Sequence, residues 1–274
     1  MSTEPKKFAE LLAINEGLQH ETNKKLFKAK SRFGGIAVAL LEQSGNEVLL
    51  DKLIRNTADS ARNCIRPSYA DKLSRKQTVS PEDEEARLER ATWLRWKIGE
   101  KKISKSRFLP QCRHIVAYQL PLFNKNLKGG WGYIDLLGLS PDNLTPIVIE
   151  LKKGESSESP LRMLLEATAY TIALREAWNM GLKNEWKNAL ELLALTPDEK
   201  AKLNYLPKEL KPCTAICVAP ADFWKSCAPD SREHYSKEAW RKFSAVQAHL
   251  DKVWKIKIIF AECFLECREW SPNI

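Results

Sequence analysis

Gly129–Gly154, GGWGYIDLLGLSPDNLTPIVIELKKG, holds two short apolar runs, YIDLLGL and PIVIEL, separated by the polar stretch SPDNLT. That is the pattern of two strands joined by a turn. An acid, Asp135, interrupts the first run, and the second ends in Glu150-Leu151-Lys152. Side chains alternate faces along a strand, so Glu150 and Lys152 share one. Asp135 in an apolar strand is costly to bury alone. An ion pair, perhaps with Lys152, would satisfy it, and so would a bound cation. Two carboxylates and an ammonium at one end of a hairpin can hold a divalent cation and activate a water.

Glu-x-Lys by itself carries little, because Glu4-Pro-Lys6, Glu100-Lys-Lys102, Glu185-Trp-Lys187, Asp198-Glu-Lys200 and Glu209-Leu-Lys211 also fit it or its Asp form. Glu150-x-Lys152 differs in following an apolar strand and in having an acid inside the strand before it.

Outward from this segment, HIVAYQLPLF (114–123) alternates as a strand, with Pro121 placing it at an edge or ending it. Ser80-Pro81 before Glu82–Glu85 is a helix start, because serine caps, proline fits the first turn and acids suit the positive end of the dipole. The helix continues through ERATWLRWKIGEK into a lysine cluster at 97–105. Ser159-Pro160 opens a second helix, PLRMLLEATAYTIALREAWNM. NEWKNALELLAL reads as helix, TPDEKAKLNYLPKELKP as loop, CTAICVAP (213–220) as a buried strand, 231–252 as an amphipathic helix and WKIKIIFAECFLE (254–266) as a last strand. The order from residue 81 is helix, three strands, helix, strand, helix, strand, an α/β sheet with helices on its faces. Before it, 5–30 and about 36–56 read as helices, the second kinked or split at Gly45-Asn46, and 66–85 as a polar linker. The division expected is a helical N-terminal segment (1–66), a linker or mobile loop (67–80) and one domain (81–274).

The 274 residues suffice for a sizeable core, and the net charge of +9 suits a polyanionic partner. No apolar run approaches the roughly 18 residues of a membrane span, and MSTEPKKFAELL lacks the features of a secretory signal, so a cytoplasmic protein without membrane contact is expected. Seven cysteines without a signal argue against a disulfide framework. Cys213 with Cys217 and Cys263 with Cys267 would make a four-thiolate zinc site, but both pairs lie in apolar strands, where cysteine is a small buried residue. The tryptophans at helical spacing, Trp93 and Trp240, read as core; Trp131, between glycines, is placed to touch substrate. Neither a Walker loop nor a Gly-x-Ser-x-Gly elbow is present.

Asp135 followed by Glu150-Leu151-Lys152, on this order of elements, resembles the PD-(D/E)xK nuclease superfamily over residues 81–220. The resemblance extends to Glu166-Ala-Thr-Ala-Tyr170, which stands where RecB-like members carry Gln-x-x-x-Tyr. No proline precedes Asp135, and Glu166 replaces the glutamine, adding a metal ligand or altering a phosphate contact. The resemblance implies a restriction-endonuclease-like mixed sheet core flanked by helices. It implies Mg2+ or Mn2+ held by Asp135, Glu150, the Leu151 carbonyl and an acid of the preceding helix, Glu89 in preference to Glu85. Catalytic roles fall to Asp135, Glu150, Lys152, Glu166 and Tyr170, with Arg162, Glu166 and Tyr170 spaced by four on one helix face. The expected activity is metal-dependent hydrolysis of DNA phosphodiesters in phage defence, restriction or repair. The partner is nucleic acid, DNA over RNA, with a second copy or a protein partner also in view. The alternative is a catalytically weak module of the same fold that binds nucleic acid or a protein.

Overall fold

The computed structural model describes residues 46–62, 84–97, 109–112, 114–121, 133–154, 156, 160–226 and 244–263. The expected helix at 5–30, the linker, the Ser80-Pro81 start, most of the lysine cluster, Trp131, the side chain of Arg162, Trp240 and Cys267 lie outside them.

The described elements run α1 (Asn46–Arg62), α2 (Glu84–Trp96), β1 (His114–Pro121), β2 (Tyr133–Leu139), β3 (Pro146–Leu151), α3 (Pro160–Ala177), α4 (Lys183–Glu191), α5 (Pro197–Lys202), β4 (Cys213–Pro220), α6 (Ala221–Ser226) and β5 (Ile256–Cys263). The five strands form one mixed sheet in chain order, β1-β2-β3-β4-β5. The first three are antiparallel neighbours, while β3, β4 and β5 run parallel. Because β3 and β4 are covered on both faces, they read as continuous apolar runs, and every residue of β3 is buried.

The turn between β2 and β3 is built by side chains. Asn143 Oδ1 accepts from the Thr145 amide at 3.2 Å and from its hydroxyl at 2.7 Å. Leu144 sits at φ 57, a region side chains rarely adopt, and its carbonyl takes the Trp186 indole N–H at 2.9 Å. A buried leucine and a buried tryptophan thus fix the turn that sets the β2–β3 register.

Two apolar cores sandwich the sheet. The larger joins α1, α3 and α4 to one face through Val148, Ala215, Cys217 and Ile258; the smaller joins Leu88 and Trp93 of α2 to Ile147, Ile149, Leu151, Ile216 and Val218 on the other. The two-residue period of β3 is visible in that division, and it sends Glu150 and Lys152 to the α3 side with Val148. Residues 163–174 of α3 are buried almost all round, because α1 covers the side that the sheet does not. Arg62 closes that contact with an ion pair to Glu176 at 2.7 Å.

Several expectations are corrected. The helix expected to end near 56 continues to Arg62, and its described part begins at Asn46, where a split was foreseen. Regular α3 stops at Ala177 in a wide turn with Gly181 at φ 106. The stretch read as a loop contains α5, started by a capping box in which Thr196 and Glu199 exchange hydrogen bonds. Trp254 belongs to the helical turn before β5, not to the strand. Cys213 and Cys217 are buried in β4 as free thiols.

Gly138 is required by a close approach. A Cβ there would overlap Cys112 Sγ and press on Ile149 Cδ1. Gly138→Ala is expected to cost about 1–3 kcal/mol in urea denaturation, and adding Cys112→Ala should restore part of the loss.

Candidate active site

The polar cluster lies where β3 ends. The β2–β3 ladder pairs Leu136 with Ile149, and continuing that register sets Asp135 level with Glu150. Beyond the last backbone pair, Asp135 Oδ2 takes the Leu151 N–H at 2.8 Å. On the other side Glu150 pairs with Cys217 of β4, and the Lys152 amide donates to the Val218 carbonyl at 2.9 Å. The site is therefore anchored in the central strands.

Lys152 gathers carboxylates from three elements. Its Nζ lies 2.8 Å from Glu150 Oε1, 3.5 Å from Glu166 Oε2 on α3 and 3.5 Å from Glu85 Oε1 on α2. Glu150, Lys152, Glu166 and Glu89 are buried, with exposures of 2–8%. Glu85 stands at the rim with over a third of its side chain exposed. Tyr170 is buried one turn beyond Glu166, in the field of Glu150, Glu166 and Asp135. The sequence-derived candidates Asp135, Glu150, Lys152, Glu166, Tyr170 and Glu89 thus meet in one place. The Leu151 side chain faces away into the smaller core.

Electrostatics follow from crowding. Five carboxyl groups (Glu85, Glu89, Asp135, Glu150, Glu166) surround one described ammonium. Burial, then the charge of Asp135, raises Glu150 well above the ordinary carboxylate range against the pull of Lys152. Burial and Glu89 do the same to Asp135. Burial, Glu85 and Glu150 push Glu89 up to about 9. Burial opposes the charge on Lys152, but Glu150, Glu166, Asp135 and Glu85 outweigh it and hold the amine charged. Tyr170 is raised by burial and by the same acids, so it stays a neutral hydrogen-bond donor.

Among the described residues, no three Asp, Glu, His or Cys side chains stand ready as a coordinating group. The donor set nevertheless suits a hard divalent cation. All its donors are carboxylate oxygens in excess of positive charge, and Glu89 Oε2 and Glu150 Oε2 are buried without a hydrogen-bond partner. Buried acceptors of that kind need a proton, a water or a cation.

Sequence reasoning missed Gln119, whose side chain hydrogen-bonds Glu89. A polar residue in the alternating strand was its only sequence signal. Glu166 was weighed as ordinary helix-surface pairing with Arg162, whereas it is buried against Lys152. Comparison with family models, with curated proteins and with solved structures returned no match.

Proposed function

We propose that this chain is a metal-dependent nuclease of the PD-(D/E)xK type, RecB-like, built on a restriction-endonuclease-like sheet and hydrolysing DNA phosphodiester bonds. The observation that carries the reading is the convergence of Asp135, Glu150 and Lys152 at the end of β3, with Glu166 and Tyr170 on one side and Glu89 on the other. No glutamate-lysine pair elsewhere in the chain is preceded by an acid in a neighbouring strand.

Asp135, Glu150 and Glu89, with the Leu151 carbonyl, would hold Mg2+ or Mn2+. When bound, the ion supplies Lewis-acid polarisation of the phosphate and a water of lowered pKa. Lys152 places a fixed positive charge beside the carboxylates, where it orients the attacking water and balances charge developing on the phosphate. The Tyr170 phenol donates to a phosphate oxygen, and Glu166 holds Lys152 in place. The excess of basic residues favours the polyanion. Restriction, phage defence or repair is the setting such a stand-alone nuclease would fill.

Linear, circular and single-stranded DNA incubated with Mg2+ or Mn2+ should be cleaved, and EDTA should stop cleavage. Asp135→Ala should lower the rate by about 100-fold or more. Cleavage that Asp135→Ala leaves intact would remove this site from the reaction. Binding without cleavage in any metal would favour the non-catalytic module.

A further inference from the structure

The row of side chains across the sheet does not begin at Asp135. Tyr118 pairs with Leu136 and Leu120 with Ile134, which sets Gln119 of β1 level with Asp135. Gln119, Asp135, Glu150 and Cys217 therefore lie along one line across four strands.

The backbone is unusual at this level. Gln119 adopts φ 45 inside a strand, a region that favours glycine. Tyr118 and its partner Leu136 belong to the smaller core on the α2 side, whereas Leu120 and its partner Ile134 belong to the larger core. The two cores change over where Gln119 sits. The irregular turn of the chain gives that residue a polar task, and its side chain bonds to the carboxyl of Glu89 on α2. The other Glu89 oxygen, Oε2, has no hydrogen-bond partner although it is buried.

We propose that Gln119 is a positioning residue, which fixes the Glu89 carboxyl so that Oε2 turns toward Asp135 and Glu150 and completes a divalent-cation site. This rests on the metal-dependent reading above. The neutral amide suits the task on chemical grounds. An acid at 119 would add repulsion to five carboxyl groups, and a lysine would neutralise Glu89 and remove it as a ligand. Second-layer groups of this kind orient ligands and set metal affinity.

The test measures binding of Mn2+ alone, by loss of the free-ion paramagnetic resonance signal, beside thermal melting of each metal-free variant. Gln119→Gly removes the amide while accepting the left-handed backbone, so melting should not fall. Its Mn2+ affinity should drop about tenfold. Gln119→Asn keeps an amide and tolerates the backbone, and should recover part of the affinity. Glu89→Gln should weaken Mn2+ comparably, with Gln119→Gly adding little on top of it. A Gln119→Gly protein that binds Mn2+ as the wild type does would overturn the proposal alone. So would one whose affinity falls only in step with a lowered melting temperature. Wild-type protein that takes up no Mn2+ would overturn the metal reading itself, and this proposal with it.

Discussion

Lys152→Met is expected to be the most damaging single change in the chain. In metal-free protein near neutral pH it should lower stability by about 3–5 kcal/mol, because removing one partner leaves the others as uncompensated buried acids. Glu150 loses its 2.8 Å partner, and Glu166 loses an ammonium at 3.5 Å. Methionine fills a similar volume, so the loss is electrostatic, with little contribution from packing. Denaturation at lower pH should narrow the difference, since the acids then take up protons. Mn2+ should narrow it as well by supplying positive charge to the same carboxylates. Cleavage, measured separately on protein shown to be folded, should fall by about 100-fold or more. A variant as stable as the wild type in EDTA would mean that the cluster does not depend on this ammonium.

The second large effect concerns pH. Glu89 has its proton affinity raised to about 9, by burial first and then by Glu85 and Glu150, while Gln119 and Lys152 pull the other way. Between its ordinary value near 4.5 and about 9, the folded chain keeps this proton while the unfolded chain has lost it. The folded state then binds more protons, so stability falls as pH rises through that window, by up to about 1.4 kcal/mol per unit. Asp135 and Glu150 are raised in the same sense and steepen the decline. Glu89→Gln should therefore raise the stability of the metal-free protein at pH 8 by on the order of a few kcal/mol and flatten the profile without abolishing its slope. The same variant should bind Mn2+ more weakly. Urea titrations from pH 5 to 9 in EDTA test this, and a profile unchanged by Glu89→Gln would contradict it.

What the sequence made readable was what short-range periodicity carries. The strands β1 to β4 and the placement of Asp135 and Glu150-x-Lys152 follow from alternation and from acids standing in apolar runs. The strand order follows from connectivity. What was not readable depends on tertiary cover. Glu166 has an arginine four residues earlier, which is an ordinary exposed pairing on an isolated helix; its burial arises because α3 lies between the sheet and α1. Glu85 and Glu89 are one helical turn apart and equivalent by pattern, yet one stands at the rim and the other inside. The α5 start was misread although Thr196-Pro-Asp-Glu199 is a capping signature, because the helix is only six residues long and carries little apolar periodicity. Gln119 acquires its place from a left-handed backbone angle and a register across strands, neither of which leaves a trace in residue type.

The central claim is that the acids at the end of β3 form a divalent-cation site, with Lys152 beside it. Crystals grown with Mn2+ and measured for its anomalous scattering test this most directly. The account predicts a strong peak bounded by the carboxylates of Asp135, Glu150 and Glu89, which Asp135→Ala removes. A map with no peak there, with the Lys152–Glu150 ion pair unchanged and manganese bound elsewhere on the chain, would contradict it.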